Sequence, residues 1–248
     1  GKTWNPWTSG ITEIQLQPFS RQQTVNSSDV SDSQIRTTGL MTALVYDNRD
    51  FAPNPSRGSY QRISFSRDFG VPDSTTTWSE VEAEFDKFFS LGATDHLRQQ
   101  VLAFSFWTAQ AITWQEQDTS SGIVISHAPP NYAGAHLGGL YRMRAYPSGR
   151  FSDKSAIYYC AEYRVIPDWN PLNSLPYVKN LKTDWIQFVA FAETGRVAPE
   201  WSVTKLHSQM KYDGGLGLRI MLKRLVGRLD LAYGTEGAGV EMMIGQSF

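Results

Sequence analysis

Residues 137–167 read LGGLYRMRAYPSGRFSDKSAIYYCAEYRVIP: a glycine-rich turn, a tip that mixes arginine with aromatics, then a run in which apolar and charged side chains alternate. Alternation with a period of two marks a strand whose faces meet different surroundings. A loop of this composition leading into such a strand points to a barrel with something folded inside it. Together with a chain that closes on VEMMIGQSF at 240–248, its last residue the aromatic Phe248, it predicts an outer-membrane β-barrel rather than a soluble enzyme.

The same period recurs outward from this stretch. Val81, Ala83 and Phe85 share one face and Glu80, Glu82, Glu84 and Asp86 the other, a row of carboxylates that needs water. Leu216, Leu218, Ile220 and Leu222 oppose Gly217, Arg219, Met221 and Lys223, and Leu225, Leu229, Leu231 and Tyr233 oppose Arg228, Asp230 and Ala232. The final run sets Val240, Met242, Ile244 and Phe248 against Glu241 and Gly245. A water-soluble sandwich would turn the apolar set to a core and the charged set to water, so alternation alone fits both architectures. About ten strands are expected, at 11–25, 35–47, 58–69, 77–89, 98–112, 155–167, 185–197, 210–224, 225–235 and 238–248, the length of tilted membrane spans. Connections are unequal: tight at 223–227 and 234–239, long and rich in Ser, Gly and Pro at 113–154, intermediate at 168–184. Long loops on one side and short turns on the other are the usual barrel asymmetry. Without a repeat of fixed period or a linker, residues 1–248 read as one barrel domain.

Composition narrows the function classes. Twenty-three basic against 24 acidic residues give a net charge of −1, so no basic surface suited to nucleic acid is implied. One cysteine, Cys160, excludes an intramolecular disulfide framework and any multi-cysteine metal site. No stretch approaches the roughly 18 consecutive apolar residues of a membrane helix, and the mean hydropathy is −0.36. Neither fact excludes a barrel, where only every second side chain meets lipid. An aromatic content of 13%, from 8 Trp, 11 Tyr and 13 Phe, suits girdles at two membrane interfaces, though a soluble sandwich could carry it too.

In this order the motifs resemble the bacterial surface antigen barrel of the BamA/TamA outer-membrane superfamily, in particular its short members lacking periplasmic repeat domains. The resemblance runs from DNRDFAPNPSRGSY at 47–60 to Phe248. The family's Asp-x-Arg strand end and Pro-x-x-Gly turn look like Asp47, Arg49, Pro55 and Gly58. Its long loop, carried in the lumen with an Arg-Gly-aromatic tip, looks like the stretch after Gly138 and Gly139 with Arg144, Ala145 and Tyr146, followed by Arg150, Phe151 and Asp153. Its strand acids fall on Glu162, within AEYR, and Glu193, within FAETGRV. Two departures stand out. Ala145 replaces the family's glycine, so a left-handed backbone there would be strained. The family barrel usually has sixteen strands, so ten are either a small barrel, part of a larger one, or a wall completed by another copy.

The resemblance implies that Arg144, buried in a lumen, is paired by Glu162 and Glu193, a clasp pinning the loop to the wall. Without the resemblance, Arg144 is a solvated loop residue and Glu162 pairs with Arg164. Phe248, after alternating apolar residues, looks like the signal read by the outer-membrane barrel assembly machinery, and the last strand would form a separable seam with the first. The implied partners are membrane lipids, that machinery and client proteins, with no cofactor and no catalytic residue. Enzyme motifs are thin: there is no G-x-S-x-G elbow, His96, His127, His136 and His207 lack metal-helix spacing, no acid is tied to Ser148, and the GGLG at 214–217 sits in a strand without a Lys-Ser pair. The expected role is non-catalytic protein or lipid traffic at the outer membrane. Alternatives are the barrel anchor or secretion half of a patatin-like lipolytic protein, or a passive pore.

Overall fold

The alternating runs form the strands of an antiparallel meander. The computed structural model describes residues 5, 9–25, 33–70, 77–117, 120, 122, 124–130, 133–170, 172, 183–223 and 225–248. In chain order the strands are β1 (Ile11–Val25), β2 (Ser33–Asp47), β3 (Gly58–Asp68), β4 (Ser79–Gly92) and β5 (Leu97–Ala111). Four short strands follow inside the long connection, β6 (Gln115–Gln117), β7 (Val124–Ser126), β8 (His136–Leu137) and β9 (Phe151–Ser152). Then come β10 (Ser155–Pro167), β11 (Thr183–Ala198), a single helical turn α1 (Val203–Leu206), β12 (Lys211–Leu222), β13 (Leu225–Gly234) and β14 (Gly237–Ile244).

The ten long strands make one sheet in the order β1-β2-β3-β4-β5-β10-β11-β12-β13-β14, and β6-β7 and β8-β9 are separate two-stranded ribbons. Among the described residues β1 pairs with β2 alone and β14 with β13 alone, which leaves two sheet edges.

Which face is buried separates the two architectures that alternation left tied. Arg219, Arg228 and Asp230 are buried, while Leu216 is 66% and Leu231 55% exposed. No second sheet covers the face of Leu218, Ile220, Leu229 and Leu231 among the described residues. A water-soluble sandwich would show the reverse, whereas a barrel wall with an occupied polar lumen turns charge inward and leucine outward. The carboxylates of β4 also face inward, Glu80 and Asp86 buried and Glu82 accepting a hydrogen bond from Trp107 Nε1 at 3.3 Å. Among the described residues no helix is long and apolar enough to cross a membrane, which says nothing about strands.

Two expectations are corrected. The last strand ends at Ile244 rather than running to 248; Gly245 takes φ +123°, and Phe248 turns off the outer row of Val240, Met242 and Ile244 into the lumen, where its ring stacks on Phe88. The expected sorting of long and short connections is not clean either. Antiparallel succession sends connections alternately to the two ends, so the two-residue turn at 235–236 shares an end with the excursion that leaves β5 and enters β10, and the tight turn after β12 lies at the other. Most of the connection expected at 168–184 lies outside the described residues.

The excursion leaves β5 and returns to β10 at adjacent points, Gln110 opposite Ser155. Its ends are therefore neighbours on one rim, and its middle is free to fold into the lumen.

Candidate functional site

The loop tip is shaped by local constraints. Gly138 and Gly139 take φ +111° and +104°, a region that costs glycine little, and this turns the chain so that Gly139 N–H donates to Tyr146 O at 2.9 Å. The β8-β9 pairing, His136 with Ser152 and Leu137 with Phe151, closes the base. Met143 carries the left-handed conformation at the tip, φ +58°, and its side chain is buried. Ala145, where a left-handed backbone would be strained, is not left-handed. The close approach is relieved on the wall instead: a Cβ on Gly239 of β14 would lie 3.0 Å from Ala145 Cα, and one on Gly234 of β13 2.9 Å from the Tyr146 ring.

Between these contacts Arg144 enters the wall. Its Nη2 lies 2.9 Å from Glu162 Oε1, its Nε 3.0 Å from Glu193 Oε1 and its Nη1 2.9 Å from Asp230 Oδ2, with all four side chains fully buried. Its backbone N–H donates to Glu193 Oε2 at 2.7 Å, and the guanidinium stacks 3.5 Å over the Phe191 ring. Burial acts to lower the pKa of this guanidinium, but Glu193 and Glu162 overcome it and hold the group well above its usual range, so it stays charged.

The neighbours extend the network. Glu162 also accepts from Arg164 Nε at 2.7 Å and from Ser247 Oγ at 2.8 Å. Glu193 accepts from Tyr158 OH at 2.5 Å. Ala145 N–H donates to Asp213 Oδ2 at 2.9 Å, and Tyr146 OH donates to Tyr212 O at 2.9 Å and pairs with Thr235 Oγ1 at 3.0 Å. Arg219 and Arg228 stand directly opposite on β12 and β13, a repulsive placement that Asp230 relieves by pairing with Arg219 Nη1 and lying 3.2 Å from Arg228 Nε. Arg228 Nη2 also donates to Leu140 O of the loop. Four guanidiniums, of Arg144, Arg164, Arg219 and Arg228, thus face the carboxyl groups of Glu162, Glu193, Asp213 and Asp230.

The structure brings Arg144, Tyr146, Glu162 and Glu193 together. Arg150 sits at the rim, its Nε 2.7 Å from Glu236 Oε2 and half exposed; Phe151 meets the Tyr146 ring edge at 5.0 Å; Asp153 accepts from Lys154 N–H at 2.7 Å, apart from the cluster. Asp230, Asp213, Arg219 and Arg228 belong to the site as well, and their inward parity in the sequence was the signal available for them. The histidines are dispersed, His127 on Thr77, His136 on Gly134 O and His207 on Tyr159. Among the described residues no group of His, Cys, Asp or Glu is arranged to hold a metal ion.

Phe248 lies against Phe88 with centroids 6.1 Å apart and 4.9 Å from the Arg164 guanidinium. With this geometry in hand, comparison with known proteins matches residues 7–248 to the Omp85 superfamily domain. No curated protein matches the chain.

Proposed function

Because the chain belongs to the Omp85 superfamily, an outer-membrane family whose members are generally non-enzymatic transport and insertion proteins, we propose that residues 1–248 act as one plugged outer-membrane barrel in protein or lipid traffic. The observation that carries this reading is the buried clasp: a loop that donates one guanidinium to three wall carboxylates is held far more firmly than a wandering pore loop. The clasp residues Arg144, Tyr146, Glu162 and Glu193 hold the lumen closed, and Gly138, Gly139, Arg150, Phe151 and Asp153 shape the loop that carries them. Lipids surround the outer face, and client proteins and the barrel assembly machinery are the protein partners.

The outward row of Val240, 67% exposed, Met242 and Ile244 supports a role for the last strand in recognition by that machinery. Since the Phe248 ring packs inside, such a reading takes place before the tail docks. Deleting Phe248 then lowers the amount reaching the outer membrane, and unaltered levels overturn the signal.

The transport reading is tested in planar bilayers. The unaltered protein should give little steady current, and Arg144→Ala should open frequent conductance steps; a large steady current from the unaltered protein overturns the plug in favour of a passive pore.

A further inference from the structure

The connection between β11 and β12, residues 199–210, folds back over the outside of the wall. Leu206 of α1 is fully buried with Ile157 of β10 and Ala198 of β11, and Phe106, Tyr159 and Met210 pack around them. Trp201 reaches across β10 and donates from Nε1 to Thr108 Oγ1 of β5 at 2.8 Å. His207 Nδ1 donates to Val203 O at 2.7 Å, which leaves its Nε2 to accept from Tyr159 OH at 2.8 Å.

Strand register orders the outward side chains next to this cover. Thr108, Ile157 and Arg196 form one row across β5, β10 and β11; Phe106, Tyr159 and Thr194 form the next, with Tyr212 of β12 beside Thr194; Phe104, Ala161 and Ala192 form the third. The third row is low where the aromatic rings around it are tall, and a hollow of about 370 Å³ opens there between Phe85, Phe104 and Phe106 on one side and Tyr212 on the other. On a barrel wall this hollow faces the hydrocarbon of the membrane.

Arg196 stands at the rim end of the hollow, two residues before β11 ends at Ala198. Its Nη1 donates to Gln209 O at 3.0 Å, its Nε meets no partner, and no carboxylate pairs with it among the described residues. Lys205 of α1 is already matched, its Nζ 2.5 Å from Glu200 Oε1. A cation on the membrane-facing side, placed at the level of headgroups and above an apolar hollow, calls for a ligand with a negative head and an apolar tail.

We propose that this part of the outer face is a binding site for an anionic phospholipid, its phosphate on Arg196 and one acyl chain in the hollow over Ala161 and Ala192. The guanidinium offers the phosphate forked donors, and the chain lies against the rings of Phe104 and Tyr212. A zwitterionic lipid carries its own cation beside the phosphate and gains less from Arg196. The site rests on the barrel fold and its lipid-facing surface, and it goes beyond the transport reading because it does not depend on what the barrel moves.

The test uses the full chain in detergent micelles doped with equal amounts of dioleoyl phosphatidylglycerol or dioleoyl phosphatidylcholine, with the retained lipid counted by native mass spectrometry. The unaltered protein should prefer phosphatidylglycerol by about fivefold, the effect of one basic side chain on an anionic lipid. Arg196→Gln should abolish the preference and Arg196→Lys should keep most of it. Ala192→Trp, which fills the hollow from an exposed position on the strand, should reduce the retained phosphatidylglycerol to the level of phosphatidylcholine. Equal retention of the two lipids by the unaltered protein, a preference that survives Arg196→Gln, or unchanged retention in Ala192→Trp overturns the proposal. Should the variants fail to fold, the unaltered protein decides: phosphatidylglycerol with a photoreactive diazirine in its tail should label Phe104, Tyr159 or Tyr212, and labelling spread evenly around the outer face overturns the site.

Discussion

The inner faces of β10–β13 and of β1–β4 both carry charge, and they handle it differently. On β10–β13 the side chains of Glu162, Glu193 and Asp230 are completely buried and interlocked with Arg144 of the loop. On β3–β4, where Glu80 and Asp86 are buried as well, one facing pair stands apart: Arg62 Nη1 lies 3.9 Å from Glu82 Oε2 with both partly exposed, beside a cavity of about 170 Å³ lined by Gln17, Phe19, Arg21, Met41 and Trp78 among others. The loop makes the difference. Where its tip docks, Arg144 gives three buried carboxylates a fixed partner; at Arg62 and Glu82, which stay partly exposed, water serves as the partner and geometry relaxes.

The widest gap between the two regions should appear when one arginine is removed from each. Arg144→Ala leaves three buried carboxylates facing each other and should destabilise the protein by about 3–5 kcal/mol, while Arg62→Ala should cost about 0–1 kcal/mol. Thermal unfolding in detergent measures both, and protease accessibility between 130 and 155 should rise for Arg144→Ala alone. Unchanged cleavage in that variant would tell against the clasp.

A smaller effect is expected from the wall. Gly239→Val places side-chain atoms where Ala145 sits, so the tip should lift while the ladder of β13 with β14 is kept. Cleavage within the loop should increase with the strand content by circular dichroism unchanged; loss of strand signal would mean that the glycine serves the strand rather than the loop. Tyr146→Phe is milder still. It leaves Tyr212 O without its donor and should cost about 1 kcal/mol, read as a shift in the unfolding midpoint.

The same contrast explains what the sequence shows and what it withholds. The ten long strands are legible because period-two alternation is a local property of each strand, and β12 and β13 show it residue by residue from Leu216 to Tyr233. Arg144 with Glu162 and Glu193 was reached through motif resemblance rather than spacing, since the loop tip and β11 are 49 residues apart. Asp230, on the same parity face as Arg228, was visible as inward-facing but not as a partner of Arg144, because parity gives a face and says nothing of which loop atom will arrive there. Phe248 was misplaced for a related reason. Parity was carried past Ile244, whereas Gly245 leaves the extended region and the count of alternate faces ends with it.

The smallest effect belongs to the rim and separates the two kinds of charge most sharply. Arg150 holds Glu236 by two hydrogen bonds, 2.7 Å from Nε and 3.3 Å from Nη2, tying the loop to the turn between β13 and β14. The pairing is two-pronged, yet Arg150 is 49% and Glu236 33% exposed, so its contribution should be at most about 1 kcal/mol. Solvent reaches it, and ions screen it over a Debye length of about 8 Å at 0.15 M salt and about 3 Å at 1 M. Arg150→Ala should therefore raise loop cleavage slightly at low salt and match the unaltered protein at 1 M salt. The Arg144→Ala defect should persist at both, because ions do not enter a fully buried cluster. If high salt were to abolish the Arg144→Ala defect as well, the lumen around the clasp would have to be wet, and the distinction between the two inner faces would fail.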